Sequence, residues 1–244
     1  MKSKRTVKPR KKPMTEPPAV EVRNIRRVYE GPEGPVAALD GLDLVVHRGE
    51  MVAVMGRSGS GKTTLLNLVG GLDQPTAGEV SVFGKRIDRL GTAATARWRS
   101  RNLGFVFQAH GLMPGMSALE NVDLGLRITG VKRRRRRALA RDCLERVGLA
   151  DRLHHRPAEL SGGQRQRAAI ARAIAPGNRL LLADEPTAGL DSATAAEVFD
   201  LLRSLVDESG ITVLLATHDP LTEDYVDAAT HLDQGVLQGK SRGR

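Results

Sequence analysis

Hydrophobic positions along this chain are grouped in distinct ways. Met51–Met55, the Leu-Leu-Leu-Ala run at 180–183 and Ile211–Ala216 are short unbroken apolar runs. Runs of this kind predict buried parallel strands. Residues 20–50 and 78–83 instead alternate apolar and polar, which predicts an antiparallel β-lobe. Leu65, Leu66, Leu68 and Val69 predict an apolar helix that begins near Lys62. Residues 117–158 read as helical, with one segment near Ser117–Ile128 and another from about Arg133 to Val147. From 162 onward the pattern is helix, strand, helix, strand, then short strands near His231 to Gln238.

The fold class is therefore α/β: a parallel core from 51 to about 108 and again after 162, an antiparallel β-subdomain, and an inserted α-helical subdomain at about 109–160. The 244 residues suit one domain, expected over 20–238, with a basic tail at 1–18 and a short tail at 239–244. No internal repeat is present. No apolar run approaches the roughly 20 residues needed to cross a bilayer, and no apolar signal-peptide core follows the first lysines. The single cysteine, Cys143, excludes an intrachain disulfide, suits a reducing compartment and reads as an ordinary helix residue.

Chemistry enters at residues 56–63. Gly56-x-x-x-x-Gly61-Lys62-Thr63 follows the Met51–Met55 strand and precedes the apolar helix, as a phosphate loop should. Gly56, Gly59 and Gly61 allow the backbone to approach phosphate oxygens. Backbone N–H groups and the helix N-terminus would face the phosphates. Lys62 would reach the β- and γ-phosphates, and the Thr63 hydroxyl would ligate Mg²⁺. The loop alone indicates a nucleoside triphosphatase and nothing finer.

A second element, Arg179-Leu-Leu-Leu-Ala-Asp184-Glu185-Pro186, is a buried strand ending in two adjacent acids. Neighbouring strand residues point to opposite faces, so the two acids serve different roles unless the chain bends there. Asp184 suits the Mg²⁺ shell; Glu185, at the strand's exit, suits the water that attacks; Pro186 turns the chain. Ser161 followed by glycines opens a helix from Gln164 to about Ile174, leaving free N–H groups that suit an anion. Ser161 lies 99 residues beyond Lys62 (161 − 62), and the loop at 56–63 already surrounds the chain's own triphosphate.

With these motifs in order, the chain resembles the nucleotide-binding subunit of ATP-binding-cassette (ABC) transporters from about Val20 to Leu237. The resemblance rests on the loop 56–63, Gln108 after Leu-Gly-Phe-Val-Phe, Leu-Ser-Gly-Gly-Gln at 160–164, Asp184-Glu185, Gly189-Leu190-Asp191 and His218 in Ala-Thr-His-Asp. It implies ATP and Mg²⁺ as cofactors. Gly56, Arg57, Ser58, Gly59, Ser60, Gly61, Lys62, Thr63 and Thr64 would hold the phosphates, and Tyr29 either stacks on adenine or serves packing. Thr63, Gln108 and Asp184 would serve the metal, while Glu185, His218 and Gln108 would serve catalysis. Ser161, Gly162, Gly163 and Gln164 would cap the γ-phosphate held by a second copy, with Asp191 across the seam. Hydrolysis would then open the dimer.

The stretches Gly70–Val80, Leu103–Gln108 and Ser117–Val122 resemble the macrolide-export and lipoprotein-release ATPases, which work with an integral membrane permease. That permease would choose the substrate, and the cassette would sit peripherally on the cytoplasmic face of the cell membrane. Ala175-Pro-Gly-Asn departs from the family, which usually places proline nearer the strand. An alternative is a nucleic-acid-associated cassette in repair or translation; another is a regulator of cell-wall hydrolases acting through a membrane protein. Nucleic acid is not expected, because aromatics are 3% of residues and zinc modules, coiled coils and a second cassette are missing.

Charge adds one further expectation. The chain carries a net +10, of which residues 1–18 hold seven Lys/Arg and one Glu. With four prolines as well, that tail is expected to be disordered. Lys132–Arg137 is a run of six basic residues at the start of a helix, where positive charge opposes the helix dipole. The run and the tail are either solvated charge or an attraction to an anionic lipid surface.

Overall fold

Alternation along the first strand already builds one wall of the molecule. The computed structural model describes residues 16–32 and 34–242. Strand β1 (Val20–Gly31) buries Val20, Val22 and Ile25 on one face, with a bulge near Asn24 keeping that face in register. It pairs antiparallel with β2 (Gly34–Val46), which buries Leu39, Leu42, Leu44 and Val46. The short β3 (Met51–Met55) is buried throughout and leads into helix α1 (Lys62–Val69). Strands β4 (Ala77–Val82) and β5 (Lys85–Arg86) complete an antiparallel sheet of order β2-β1-β4-β5.

Helix α2 (Thr92–Asn102) precedes β6 (Leu103–Val106). Then come the helices α3 (Ala118–Ile128), α4 (Arg133–Arg146) and α5 (Gly162–Ile174). Strand β7 (Leu180–Asp184), helix α6 (Ser192–Ser209), and strands β8 (Thr212–Thr217), β9 (Ala228–Asp233) and β10 (Val236–Arg242) finish the chain. The core sheet has the order β10-β9-β3-β8-β7-β6, parallel except where β10 returns antiparallel on β9.

Because side chains alternate across a strand, the parallel sheet feeds two cores at once. Val52, Val54, Leu180, Leu182, Leu214 and Ala216 pack with the antiparallel lobe and α1. Met51, Ala53, Met55, Leu181, Ala183, Val213 and Leu215 pack with α5, α6 and the helical lobe. Helix α1 thus lies between the two sheets, with its N-terminus at the carboxyl end of β3. That is the end of an open parallel sheet where ligands bind.

Several boundaries differ from the sequence expectation. The helix expected from Gln164 begins at Gly162, because Ser161 is its N-cap. Residues 239–242, expected as tail, continue β10. After a register shift near Gly239 (φ 63°) the ladder resumes with Lys240 opposite Thr230. An edge strand of Gln-Gly-Lys-Ser-Arg has no apolar alternation to announce it. The tail expected over 1–18 is described only from Glu16, and the rest lies outside the described residues. Glu16 and Pro17 are tied down: Arg48 pairs with Glu16 at 2.7 Å and donates to the Pro17 carbonyl at 2.9 Å. The departure at 175–178 forms a turn in which buried Asn178 donates to the Leu103 and Ala173 carbonyls, at 2.8 and 3.0 Å.

Candidate functional site

The phosphate loop is held from behind by a hairpin. Gln234 and Gly235 turn β9 into β10 with positive φ, and Gly235 donates to the Ser60 carbonyl at 3.2 Å. A Cβ on Gly56 would lie 2.3 Å from the Leu232 carbonyl oxygen, so only glycine fits the loop's first position. Gly61, at φ 105°, is the N-cap of α1 and supplies no side-chain capping bond. The first N–H groups of the helix are therefore left for an anion. In front of the loop opens a cleft of about 520 Å³. Its lining includes Arg57, Ser58, Gly59, Gly61, Lys62, Thr63 and Thr64, with Gln108, Glu185 and His218 from three other elements and Ala38 from β2.

Lys62 is buried, with 6% of its surface exposed, and its Nζ donates to the carbonyls of Gly56 and Arg57 at 2.6 and 3.0 Å. Its third neighbour is Glu185 Oε1 at 3.5 Å. The two residues expected around the metal meet directly, since Thr63 Oγ1 donates to Asp184 Oδ2 at 2.8 Å. The other oxygen, Asp184 Oδ1, is buried with no hydrogen-bond partner. Burial pushes the Asp184 carboxyl above the ordinary carboxylate range, against the Thr63 hydrogen bond, and Glu185 beside it adds to the rise. A desolvated carboxylate with one orphaned oxygen, beside a hydroxyl, fits a hard cation such as Mg²⁺. No cluster of three or more His, Cys, Asp or Glu that could hold a metal exists among the described residues, so substrate phosphates and water would complete the shell.

The chain bends at the second acid. Glu185 has φ 47°, in the left-handed region that a non-glycine residue occupies at a cost. Its N–H is anchored to the Ala216 carbonyl at 2.8 Å. The bend turns Glu185 into the same cleft as Asp184, and Pro186 follows. Two donors then fix its carboxylate: His218 Nδ1 is 2.9 Å and Thr217 Oγ1 3.3 Å from Oε2. His218 is 69% exposed at its side chain and otherwise lines the cleft. An oriented carboxylate beside a buried ammonium can bind a polyphosphate and take a proton from water.

The remaining expected residues lie elsewhere. Ser161 Oγ accepts from the Gln164 N–H at 3.2 Å, and Gln164 Oε1 accepts from the Ser161 N–H at 3.0 Å, a reciprocal cap. The N–H groups of Gly162 and Gly163 have no partner among the described residues. Asp191 caps α6 through Thr194 at 3.0 and 2.7 Å, which holds its carboxyl below the usual range. None of these lines the cleft of its own chain. Tyr29 is also outside the lining: its hydroxyl donates to Asp73 at 2.7 Å, and the Arg27 guanidinium covers its ring at 4.3 Å.

A link between α5 and the Gln108 turn was not foreseen. Buried Gln166 accepts at 2.5 Å from His110, and Arg172 donates to the carbonyls of His110 and Gly111. Both residues lie on the helix that Ser161 opens. Gln166 and Arg172 look like ordinary polar helix positions in sequence; the contacts span 56 to 62 residues.

A phosphate loop at the carboxyl end of a parallel sheet, opposite an oriented catalytic-type carboxylate and flanked by an antiparallel lobe and a helical insertion, defines a cassette-type nucleoside triphosphatase. The chain belongs to the ABC transporter family, whose profile matches residues 39–188. It is 48% identical over 219 residues to the lipoprotein-releasing system ATP-binding protein LolD of Chromohalobacter salexigens, covering 89% of this chain and 92% of that one. It is 43% identical over 218 residues to the macrolide export ATP-binding/permease protein MacB of Salmonella typhimurium, of whose length it spans 34%. Among solved structures, the dimeric post-hydrolysis state of the ATP-binding cassette MJ0796 bound to ADP and Pi matches with a TM-score of 0.85 and 38% identity. That match covers 92% of this chain and 99% of the other. The chain is thus an ATP-binding, ATP-hydrolysing ABC cassette that uses Mg²⁺.

Proposed function

We propose that this chain powers a separate integral membrane permease of the lipoprotein-release or macrolide-export kind, working as two cassettes that share ATP. The observation that carries this reading is the separation of the two half-sites. The cleft of one copy suits a triphosphate, while Gly162 and Gly163, with their uncapped N–H groups, lie outside its lining and suit the γ-phosphate of a second copy. Asp191, anchored at the start of α6, would lie at the seam.

In the cleft, Lys62 and the loop 56–64 bind the phosphates. Thr63, Asp184 and Gln108 hold Mg²⁺, which neutralises developing phosphate charge when bound. Glu185 takes the proton of the attacking water, and His218 holds that carboxylate in place. Tyr29, fixed by Arg27 and Asp73, would offer adenine the edge of its ring or its free face. The domain runs over 20–242, with the helical subdomain inserted at about 109–160.

A docking surface for the permease supports the reading. Between β6, α3 and α5 lies an apolar groove of about 330 Å³ whose lining includes Phe105, Phe107, Leu124 and Ile128. Phe107 is 41% and Ile128 69% exposed, which leaves apolar surface along the groove for a partner to cover. Phe107 adjoins Gln108, so a protein seated there would sense the cleft. No helix among the described residues is long and apolar enough to cross a membrane. The cassette would therefore reach the membrane through that partner, peripherally on the cytoplasmic face.

A Glu185→Gln chain tests the reading, because losing a general base costs about 10²–10⁴ in rate and traps the ATP-bound form. With Mg-ATP, it is expected to co-purify from detergent-solubilised cells with an integral membrane protein bearing a large outer domain. Ribosomes or DNA, with no membrane protein, would contradict it.

A further inference from the structure

Helix α4 opens against its own electrostatics. Lys132 is its N-cap without a side-chain capping bond, Arg133–Arg137 fill the first turns, and no acid offsets them in the first turn. Positive charge here adds to the positive end of the helix dipole, and neighbouring like charges repel. Among these five arginines, only Arg136 forms an ion pair with a described residue, at 3.0 Å from Asp123. A local rule broken with only partial internal compensation points to an outside ligand.

The arginines surround a concavity. Between α3 and α4 lies a cleft of about 680 Å³, with Arg127 on one wall, Arg133, Arg136 and Arg137 on the other, and His154 at its edge. The guanidiniums of Arg127, Arg133 and Arg137 are exposed and have no hydrogen bond or ion pair with any described residue. Two carboxylates share the cleft, and both are committed. Asp123 holds Arg136, and Glu120 accepts from the Ser117 N–H at 2.8 Å, a bond that keeps its carboxyl below the usual range. Four guanidiniums against two carboxylates leave a surplus of two positive charges.

We propose that this cleft binds the phosphate-bearing headgroup of an anionic phospholipid. The site rests on the membrane-surface location proposed above and places a particular pocket against that surface. Helix α3 puts the cleft next to the groove proposed for the permease: Asp123 and Arg127 line the cleft, while Leu124 and Ile128 line the groove. A basic cleft beside the seat of a membrane protein meets the headgroups of the surrounding leaflet, which are held there at far higher local density than a free anion. The chain's net +10 favours its approach to an anionic leaflet.

Flotation of the full chain with phosphatidylcholine vesicles, with and without phosphatidylglycerol and with no permease present, tests the site. Three chains are compared: the native one, Arg127→Ala/Arg133→Ala/Arg137→Ala, and a charge-matched Arg134→Ala/Arg135→Ala/Arg141→Ala from outside the cleft. A basic residue near an anionic surface is worth roughly five-fold in partition, so the cleft variant should lose on the order of 100-fold and the matched variant under about ten-fold. Equal losses would reduce the effect to diffuse charge and overturn the site, as would native binding by the cleft variant. Displacement by inorganic phosphate beyond that by chloride at equal ionic strength would assign the cleft to a free anion and overturn the lipid. Unchanged ATPase activity shows each variant is folded, and Arg133→Gln alone, expected to lose roughly five-fold, serves if the triple variant does not fold. Permease co-purification reads the functional proposal separately, because the vesicles contain none.

Discussion

Asp184 and Glu185 are adjacent in sequence, yet they meet their surroundings in opposite ways. Glu185 is tied by His218 and Thr217 in a left-handed backbone position. Asp184 is half-buried with one oxygen unsatisfied, and burial raises its carboxyl's affinity for a proton. A pKa raised in the folded state contributes stability that is fullest below the unfolded value and is lost as pH rises through the folded one. At neutral pH the ionised Asp184 therefore weighs against the nucleotide-free fold. Thermal melts of metal- and nucleotide-free Asp184→Asn should show it more stable than the native chain at neutral pH. The advantage should shrink as pH falls through the raised carboxylate range; an advantage that grows toward acid would contradict the origin given for it. The phosphate loop, both acids and His218 were legible in sequence because fixed spacing beside apolar strands identifies them. The setting of Tyr29 was not, because its partner Asp73 lies 44 residues away.

Elements were legible where burial imposes a period. Strands β3, β7 and β8 are near-continuous apolar runs because both faces of their sheet are covered, one by α1 and the antiparallel lobe and the other by α5, α6 and the helical lobe. Helix α2 was missed: Thr-Ala-Ala-Thr-Ala-Arg-Trp-Arg-Ser-Arg-Asn buries only Thr95 and shows no apolar stripe. Its place is set by tertiary contacts, among them Arg99 donating to the Gly71 carbonyl at 2.7 Å. Helix α5 was legible from Gln164 onward, but its fit was not: a Cβ on Gly163 would lie 2.4 Å from Thr194 of α6. That contact joins the N-terminus of α5 to the Asp191 cap. Ser161→Arg puts a bulky cation where the partner's phosphate would sit and leaves the cleft of its own chain untouched. It should abolish ATP hydrolysis, with steady-state rates at background, while equilibrium ATP binding stays within a few-fold of native. Loss of binding as well would contradict the assignment of this helix to a second copy's nucleotide.

The molecule as a whole lines its nucleotide cleft and its apolar groove with different residues, and the N-terminus of α5 lies in neither lining. Helix α5 connects them: Ser161 opens it, Gln166 and Arg172 hold the turn after Gln108, and its far end lines the groove through Arg172 and Ala173. A γ-phosphate bridging two copies would thus pull on the helix that borders the apolar groove proposed for the permease. Sequence showed the parts of this arrangement and the resemblance supplied the partner copy. The linkage through α5 needed the fold, since its contacts join residues distant in sequence. Sharing of ATP between two cassettes is the central claim, and sedimentation of the Glu185→Gln chain tests it most directly. With Mg-ATP the mass should double from 26.4 kDa, and it should fall back on removing nucleotide or on adding Ser161→Arg. A Glu185→Gln chain that binds Mg-ATP and stays monomeric, or a dimer indifferent to Ser161→Arg, would contradict the shared site.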